Sequence, residues 1–226
     1  SKMITKYIVI NTTGVLMVLR PYQYYATEAI VERTKTTNKF GYICHTTGSG
    51  KTLTSFKTSQ ILTNQPEVDK VVFVVDRKDL DYQTIKEFNS FKEGPVDATN
   101  NTQSLIKQLN NDTKLIVTTL QKLNNAIWSE KYKAQILGQK DPKIVFIFDE
   151  CHRTQFGETH NRIKEFFVNA QMFGFTGTPI MAENTSKNAL GKRITKDLFD
   201  ECLHKYVITD AIKDQKCIVN FYRIYF

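Results

Sequence analysis

The sequence lacks cysteine pairs, long apolar runs and linker-like tracts, and each absence excludes a class of protein. Its four cysteines are scattered, with no Cys-x-x-Cys pair, which argues against a zinc site and against a disulfide-bonded scaffold. No apolar run approaches the roughly 20 residues that a membrane-spanning helix needs. The apolar stretch 7–19 contains polar residues and is followed by no signal-peptide cleavage site. We therefore expect a cytoplasmic protein without a membrane segment.

What is present is the composition of an ordinary folded domain. The chain has 226 residues, of which 41% are hydrophobic and 24% charged, and this length is enough for one large core. No repeat or Pro/Gly/Ser-rich linker divides it. Basic residues outnumber acidic ones by 31 to 23, which gives a net charge of +8. An excess of positive charge favours an anionic partner such as nucleic acid, without identifying one.

Short apolar runs alternate with helical patterns along the chain. The runs 71–75 and 144–148 are apolar at every position, which is typical of strands buried on both faces of a parallel sheet. The alternation predicts an α/β fold, a doubly wound parallel sheet with helices on both faces, which binds ligands at the carboxyl ends of its strands. We expect a strand or hairpin within the first 20 residues and a further strand at 218–226. The other predicted core strands are 42–44, 115–117 and 172–175.

A glycine-rich loop follows the predicted strand 42–44. The residues from His45 to Thr52 read HTTGSGKT and lead into a helical pattern. Glycines let such a loop curl so that its N–H groups point at phosphate oxygens, while Lys51 supplies charge and Thr52 can ligate Mg²⁺. His45 stands where the usual pattern has its first glycine. The predicted phosphate-binding residues are Thr47, Gly48, Ser49, Gly50, Lys51 and Thr52.

Two carboxylates follow the buried strand 144–148. Asp149 and Glu150 lie at its carboxyl end, in the sequence DECH. Asp149 is expected to hold Mg²⁺ through a water molecule, and Glu150 to orient and deprotonate the attacking water. His152 has no partner at metal-ligand spacing, so a relay between the nucleotide and a neighbouring element suits it better than metal binding. Each pattern taken alone could be an ordinary surface turn.

These elements together resemble the motifs of superfamily 2 helicases and translocases. The phosphate loop resembles motif I, and 149–152 resembles a DExH-type motif II. The resemblance implies a P-loop NTPase of the RecA-like type that uses ATP and Mg²⁺. The sequence TGTP at 176–179 resembles motif III, which couples hydrolysis to movement, so the expected coupling residues are Thr176, Gly177 and Thr178.

Three further motifs resemble segments of the same superfamily that contact the adenine base of ATP or the DNA. The sequence RPYQ at 20–23 resembles the upstream adenine-reading motif, in which Gln23 is expected to bond the base and Arg20 to lie at the site. VDR at 75–77 resembles motif Ia, and TTLQK at 118–122 resembles motif Ib. In the family these motifs touch the sugar-phosphate backbone. The expected DNA-binding residues are Arg77, Thr119, Gln121 and Lys122.

Within the superfamily, the amino-acid sequence of these motifs resembles that of the motor (R, HsdR) subunit of type I restriction enzymes. The segments RPYQ, HTTGSGKT, FVVDRKDLDYQ, TTLQKL, DECHRTQFG and GFTGTPI carry this resemblance. It implies ATP-driven translocation on double-stranded DNA, with modification and specificity subunits as partners. No Glu-x-Lys of the family's nuclease occurs in the chain. We therefore interpret 1–19 as a lead-in segment and 20–226 as the first motor lobe, with the nuclease domain and second RecA-like lobe absent.

Other interpretations remain open. The chain could be the first motor lobe of another superfamily 2 helicase that acts on DNA or RNA. It could act in isolation as a nucleotide-gated binding module without turnover. A small-molecule kinase also uses a phosphate loop, but no acceptor pocket is recognisable. Two histidines without chemical partners in the sequence, His160 and His204, are expected at the surface.

Overall fold

The computed structural model describes residues 6–10, 16–75, 101–149, 156–177 and 195–214. An antiparallel pair of short strands, β1 (Ile8–Ile10) and β2 (Leu16–Val18), comes first. Six longer strands follow: β3 (Gly41–His45), β4 (Lys70–Val75), β5 (Leu115–Thr119), β6 (Ile144–Phe148), β7 (Gln171–Thr176) and β8 (Cys202–Tyr206). They form one sheet in the order β5-β4-β6-β7-β3-β8, and every pairing in it is parallel.

Helices connect the strands. They are α1 (Pro21–Thr36), α2 (Lys51–Leu62), α3 (Thr102–Asn110), α4 (Leu120–Trp128), α5 (Glu130–Lys133), α6 (Phe156–Phe166), α7 (Thr195–Phe199) and α8 (Ile208–Lys213), with a 3₁₀ turn at Ala134–Gln139. At two helix starts the side chain of the preceding residue accepts a backbone N–H: Asn101 accepts from Gln103 at α3, and Thr119 accepts from Lys122 at α4. None of the helices in the described ranges is both long and apolar enough to cross a membrane.

The core consists of two apolar layers, one on each face of the sheet. Val72 and Val74 of β4 pack into the layer that holds α3, α4 and α6. Val71, Phe73 and Val75 of the same strand pack into the other layer, against α1 and α2. Successive side chains of a strand point to opposite faces, so a strand covered on both sides needs an apolar residue at every position. This confirms the predicted doubly wound arrangement.

The predicted strands are confirmed, with ends that shift by one or two residues. The expected hairpin near the amino terminus is present as β1 and β2, and the helix after the phosphate loop begins at Lys51 as predicted. The edge strand β8 was not predicted. The strand expected at 218–226 lies outside the described residues.

The expected surface position is wrong for His160, and the expected lack of a chemical partner is wrong for His204. His160 is 5% exposed and packs edge-on against Phe40 and Phe199, with ring centroids 5.5 Å and 6.0 Å away. His204 lies on β8 and contacts another histidine at the phosphate loop. Both interactions join residues far apart in the chain, which a pattern of neighbours in the sequence does not reveal.

One buried polar side chain holds the end of α1 to the sheet. Gln171, at the start of β7, is 1% exposed. Its Nε2 donates to the carbonyl oxygens of Thr37 (3.0 Å) and Lys39 (2.8 Å), which follow the helix. The amide therefore ties the segment after α1 to the start of β7 through two backbone carbonyls.

We predict that Gln171→Leu lowers the free energy of unfolding by about 1–2 kcal/mol, because these carbonyls lose their donor while the side-chain volume is kept. Urea unfolding measures the change. Gln103→Leu is the matched control, since the Gln103 amide donates to the exposed Gln135 side chain, where water can replace it. Equal losses in the two variants would contradict the assigned role.

Candidate functional site

The glycine-rich segment forms a loop at the carboxyl end of β3. The strand ends at His45 and α2 begins at Lys51, so the strand–loop–helix order that a phosphate loop requires is present. Gly48 and Gly50 both have φ of +77°, in the left-handed region that side chains disfavour. Because Gly50 immediately precedes the helix, this backbone geometry brings the first N–H groups of α2 to the mouth of the loop.

Helix α1 holds the loop from one side. The Tyr22 hydroxyl donates to the carbonyl oxygen of Ser49 (2.7 Å). Gln23 Nε2 donates to the carbonyls of Ser49 (3.1 Å) and Gly50 (3.3 Å), and its Oε1 accepts from the backbone N–H of Arg20 (2.9 Å). The amide of Gln23 is therefore engaged in fixing the loop, and its contact with a base stays a prediction.

Strand β7 approaches the loop from another direction. Thr176 is fully buried at the end of the strand, and Gly177 follows it. A Cβ built on Gly177 would lie 3.2 Å from Lys51 Nζ and 3.2 Å from the carbonyl oxygen of His45. The predicted coupling segment thus lies beside Lys51, the predicted phosphate-binding lysine, and a side chain in place of Gly177 would have to displace its neighbours slightly. Thr178, the third expected coupling residue, lies outside the described residues.

The carboxylate site lies at the same edge of the sheet. Asp149 follows β6 and its backbone N–H donates to the carbonyl of Val74 (3.1 Å), which keeps it at the strand end as predicted. Three other expected site residues, Glu150, His152 and Arg77, lie outside the described residues. The described ranges contain no group of three or more metal-binding side chains.

The described residues fit a magnesium-bound nucleotide phosphate. Lys51 is only 8% exposed, and a buried ammonium group is favourable beside an anion. Ser49 is 4% exposed, and its Oγ has no hydrogen-bond partner within the described ranges, so a polar atom is available inside the loop. Thr52 follows on the first turn of α2, and together with Asp149 it offers the oxygen ligands that Mg²⁺ prefers.

The edge strand β8 forms a third wall of the loop, which reasoning from the sequence missed. The Tyr206 carbonyl accepts from the backbone N–H of Thr46 (2.9 Å), and the Tyr206 ring stacks on Tyr22 with centroids 3.7 Å apart. On the same strand, His204 Nδ1 lies 2.9 Å from Nε2 of the buried His45. Burial, with smaller contributions from His204 and Lys51, lowers the pKa of His45 to about 3. Nothing in the spacing of these residues signals their contact.

A pocket of about 670 Å³ opens beside this wall. It lies between the start of α1 and the β8–α8 segment, next to the predicted adenine-reading residues. Arg20, which the resemblance places at the base, is exposed and lines this pocket. Its lining also includes Tyr22, Tyr25, His204, Tyr206 and Asp214.

The expected DNA-binding residues of motif Ib stand where β5 meets α4. The Thr119 side chain is 4% exposed and accepts from the N–H of Lys122 (3.3 Å), so it caps the helix. Gln121 is exposed and Lys122 is half-buried on the first turn. Both lie at the edge of the sheet that carries the phosphate loop. Their contact with DNA stays a prediction.

Comparison with known proteins places the chain among nucleotide-dependent enzymes. A family model described as SWI2/SNF2 ATPase matches residues 22–225. The endonuclease subunit of the type I restriction enzyme SauMSSORF170P from Staphylococcus aureus (strain MSSA476) is 54% identical over 217 residues, 95% of this chain and 23% of that protein. The C-terminal part of the endonuclease subunit of the putative type I restriction enzyme MpnIIP, from Mycoplasma pneumoniae, is 47% identical over 177 residues, 73% of this chain and 85% of that protein.

A solved structure with the same fold is similar as well. The ATP-dependent Type ISP restriction-modification enzyme LlaBIII bound to DNA matches 90% of this chain and 16% of its own, with a TM-score of 0.60 and 20% identity. At that identity the likeness shows the fold alone. With the family match, it confirms the predicted RecA-like P-loop NTPase fold. The chain spans about a quarter of the length of the Staphylococcus aureus relative.

We predict that Gly50→Ala destabilises the chain more than Gly48→Ala, by about 1 kcal/mol or more. Both substitutions force an alanine to a φ of +77°, at a cost of about 1–2 kcal/mol. A Cβ at Gly48 meets nothing within 4 Å, whereas one at Gly50 would lie 2.7 Å from Gln23 Nε2 and would displace the amide that holds the loop. Urea unfolding of the two variants tests this, and an equal or reversed order would show that the Gln23 contact does not matter.

Proposed function

Because the chain belongs to the SWI2/SNF2 ATPase family, among the endonuclease subunits of type I restriction enzymes, we propose that it is the ATP-binding motor lobe of such a subunit. In this proposal the complete protein couples ATP hydrolysis to translocation along double-stranded DNA. The chain contributes one wall of the nucleotide cleft, and a second RecA-like lobe of the longer protein contributes the other. The nuclease domain and the modification and specificity subunits belong to the same assembly, which would act in the cytoplasm.

The observation that supports this proposal best is the closeness of the motif III segment to Lys51. The phosphate loop holds the lysine at the start of α2, and a Cβ added at Gly177 would lie 3.2 Å from its ammonium nitrogen. A shift of Lys51 when phosphate binds or leaves would therefore alter the space available to the segment after β7. Such proximity is what a motor needs in order to convert phosphate release into movement.

The remaining groups have complementary roles in this mechanism. Thr52 and Asp149 would hold Mg²⁺, which neutralises the developing charge on the phosphates. Glu150 would orient the attacking water, with His152 as a relay towards the neighbouring element. Gln23 and Arg20 would read the adenine base from the side of α1. On the same sheet edge Arg77, Thr119, Gln121 and Lys122 would contact the DNA backbone, with no preference for sequence.

The isolated chain is expected to bind Mg·ATP with negligible turnover. Hydrolysis by a two-lobe motor needs charged groups from both lobes around the transferred phosphoryl group, and one lobe supplies only its own. In this form the chain is a nucleotide-binding module. The same lobe in another superfamily 2 helicase is the alternative, which strand separation or RNA-dependent turnover by the longer protein would favour.

We predict that Lys51→Ala abolishes Mg·ATP binding, since it removes the positive charge between the loop and Gly177. Calorimetric titration with Mg·ATP measures the affinity, and a phosphate-release assay with and without double-stranded DNA measures turnover. Lys57→Ala is the matched control, because it removes the same charge from the same helix away from the loop. Equal Mg·ATP affinity of the original chain, Lys51→Ala and Lys57→Ala would refute the phosphate-loop assignment. Robust turnover by the chain alone would contradict the two-lobe mechanism.

We predict that Lys122→Ala weakens binding to double-stranded DNA equally for unrelated sequences. Loss of one phosphate contact should reduce the slope of log affinity against log salt concentration by about 0.9. Fluorescence anisotropy across a salt series measures both quantities. Lys107→Ala, an exposed lysine near the end of α3, is the control for net charge alone. An unchanged slope for Lys122→Ala would remove this residue from the DNA interface.

A further inference from the structure

Two histidines join the phosphate loop to the edge of the sheet. His45 is the last residue of β3 and is completely buried, and its Nε2 lies 2.9 Å from Nδ1 of His204 on β8. The next residue, Thr46, donates its backbone N–H to the Tyr206 carbonyl on the same strand. The first two residues of the loop region are thus tied to β8, one through a side chain and one through the backbone.

The surroundings of His45 assign the direction of the histidine hydrogen bond. His45 Nδ1 is buried and has no hydrogen-bond partner among the residues that the structure describes. A proton on Nδ1 would be a buried donor without an acceptor, while a proton on Nε2 has the His204 nitrogen in front of it. We therefore assign His45 Nε2–H as the donor and His204 Nδ1 as the acceptor.

The other side of His45 borders the coupling segment. A Cβ at Gly177 would lie 3.2 Å from the His45 carbonyl oxygen and 3.5 Å from the backbone nitrogen of Thr47. The start of the loop is therefore held between Gly177 on one side and β8 on the other. Movement of His45 towards β8 or away from it would change the space that Gly177 and Lys51 share.

We propose that His204 is a positioning residue for nucleotide binding: through His45 it fixes the strand end from which the phosphate loop departs. It touches neither the nucleotide nor the metal in this scheme. The inference rests on the nucleotide-binding function proposed above and extends it to a strand for which the sequence motifs assign no such role.

The charges around the pair give the contact a pH dependence. Burial lowers the pKa of both rings; Lys51 lowers that of His45 further, and Asp210 on α8 raises that of His204. With its pKa at about 3, His45 stays neutral when the solution is mildly acidified, so His204 takes up the first proton. A proton on His204 Nδ1 would face the His45 donor and break the hydrogen bond. Other titratable groups near the pair include Tyr22 on α1, Cys44 on β3, and Cys202, Lys205 and Tyr206 on β8. Two further charged residues, Arg20 and Asp214, line the same pocket as His204.

The test compares two substitutions of His204 in the 226-residue chain. His204→Leu removes the acceptor, and we expect it to raise the Kd for Mg·ATP roughly tenfold at about pH 8, since the buried His45 donor is left unpaired. His204→Asn places an amide oxygen where Nδ1 stood, and it should keep the Kd within roughly twofold of the original. Calorimetric titration with Mg·ATP gives these values.

The pH profile separates positioning from a merely structural role. Asparagine does not titrate, so the ratio of the original Kd to that of His204→Asn should rise as the pH falls from about 8 to below the ordinary histidine range, because burial lowers the pKa of His204. Taking the ratio cancels the protonation of ATP itself. Leu203→Ala is the control for strand stability, because Leu203 packs at Gly41, the far end of β3 from the loop. It should leave the Kd and its pH profile unchanged while thermal unfolding shifts to a lower temperature.

Three results would overturn the inference. His204→Leu could bind Mg·ATP as tightly as the original chain, which would show that the contact does not position the loop. Leu203→Ala could weaken binding as much as His204→Leu, which would reduce His204 to a structural residue. His204→Asn could follow the pH profile of the original chain. If the unsubstituted chain does not bind Mg·ATP, the proposed nucleotide-binding function itself is refuted, which is distinguishable from refutation of the role of His204.

Discussion

The parallel pairing of the six-stranded sheet is the constraint on which the candidate site depends. Parallel strands bring all their carboxyl ends to one edge, so residues that follow β3, β6 and β7 arrive together although the chain separates them widely. His45 and Lys51 come from the first of these ends, Asp149 from the second and Gly177 from the third. Had any of these strands run the other way, its site residues would lie at the opposite edge.

The sheet can keep this arrangement because both of its faces are covered. The alternating side chains of β4 and β6 divide between two apolar layers, and nearly all of them are completely buried. Close packing on both sides restricts sliding of one strand past another, since a shift in register would disrupt contacts in both layers. The strand ends are therefore rigid supports for the loops that follow them, which hold the candidate site residues.

The phosphate loop is held in place by its neighbours. Two glycines in left-handed conformation shape it, and its polar backbone groups need partners. Tyr22 and Gln23 satisfy carbonyls on the side of α1, and Tyr206 satisfies the N–H of Thr46 on the side of β8. These contacts organise the loop before any phosphate arrives, so binding does not have to order it. The same contacts link the loop to α1 and β8, which border the pocket beside Arg20.

The sequence alone determined the class of fold and nominated the main groups of the candidate site. Uniformly apolar runs indicated the doubly covered parallel sheet, and HTTGSGKT, DECH and TGTP each directly followed a predicted strand. Each of these patterns is local, because its physical cause involves residues only a few positions apart in the chain. Only the tertiary structure decided which groups lie together: the Gln23 amide beside the loop carbonyls, the His45 ring beside that of His204, and the Gly177 backbone beside Lys51. The His45–His204 contact joins residues 159 positions apart on neighbouring strands, and it depends on strand order and register, which no local pattern encodes.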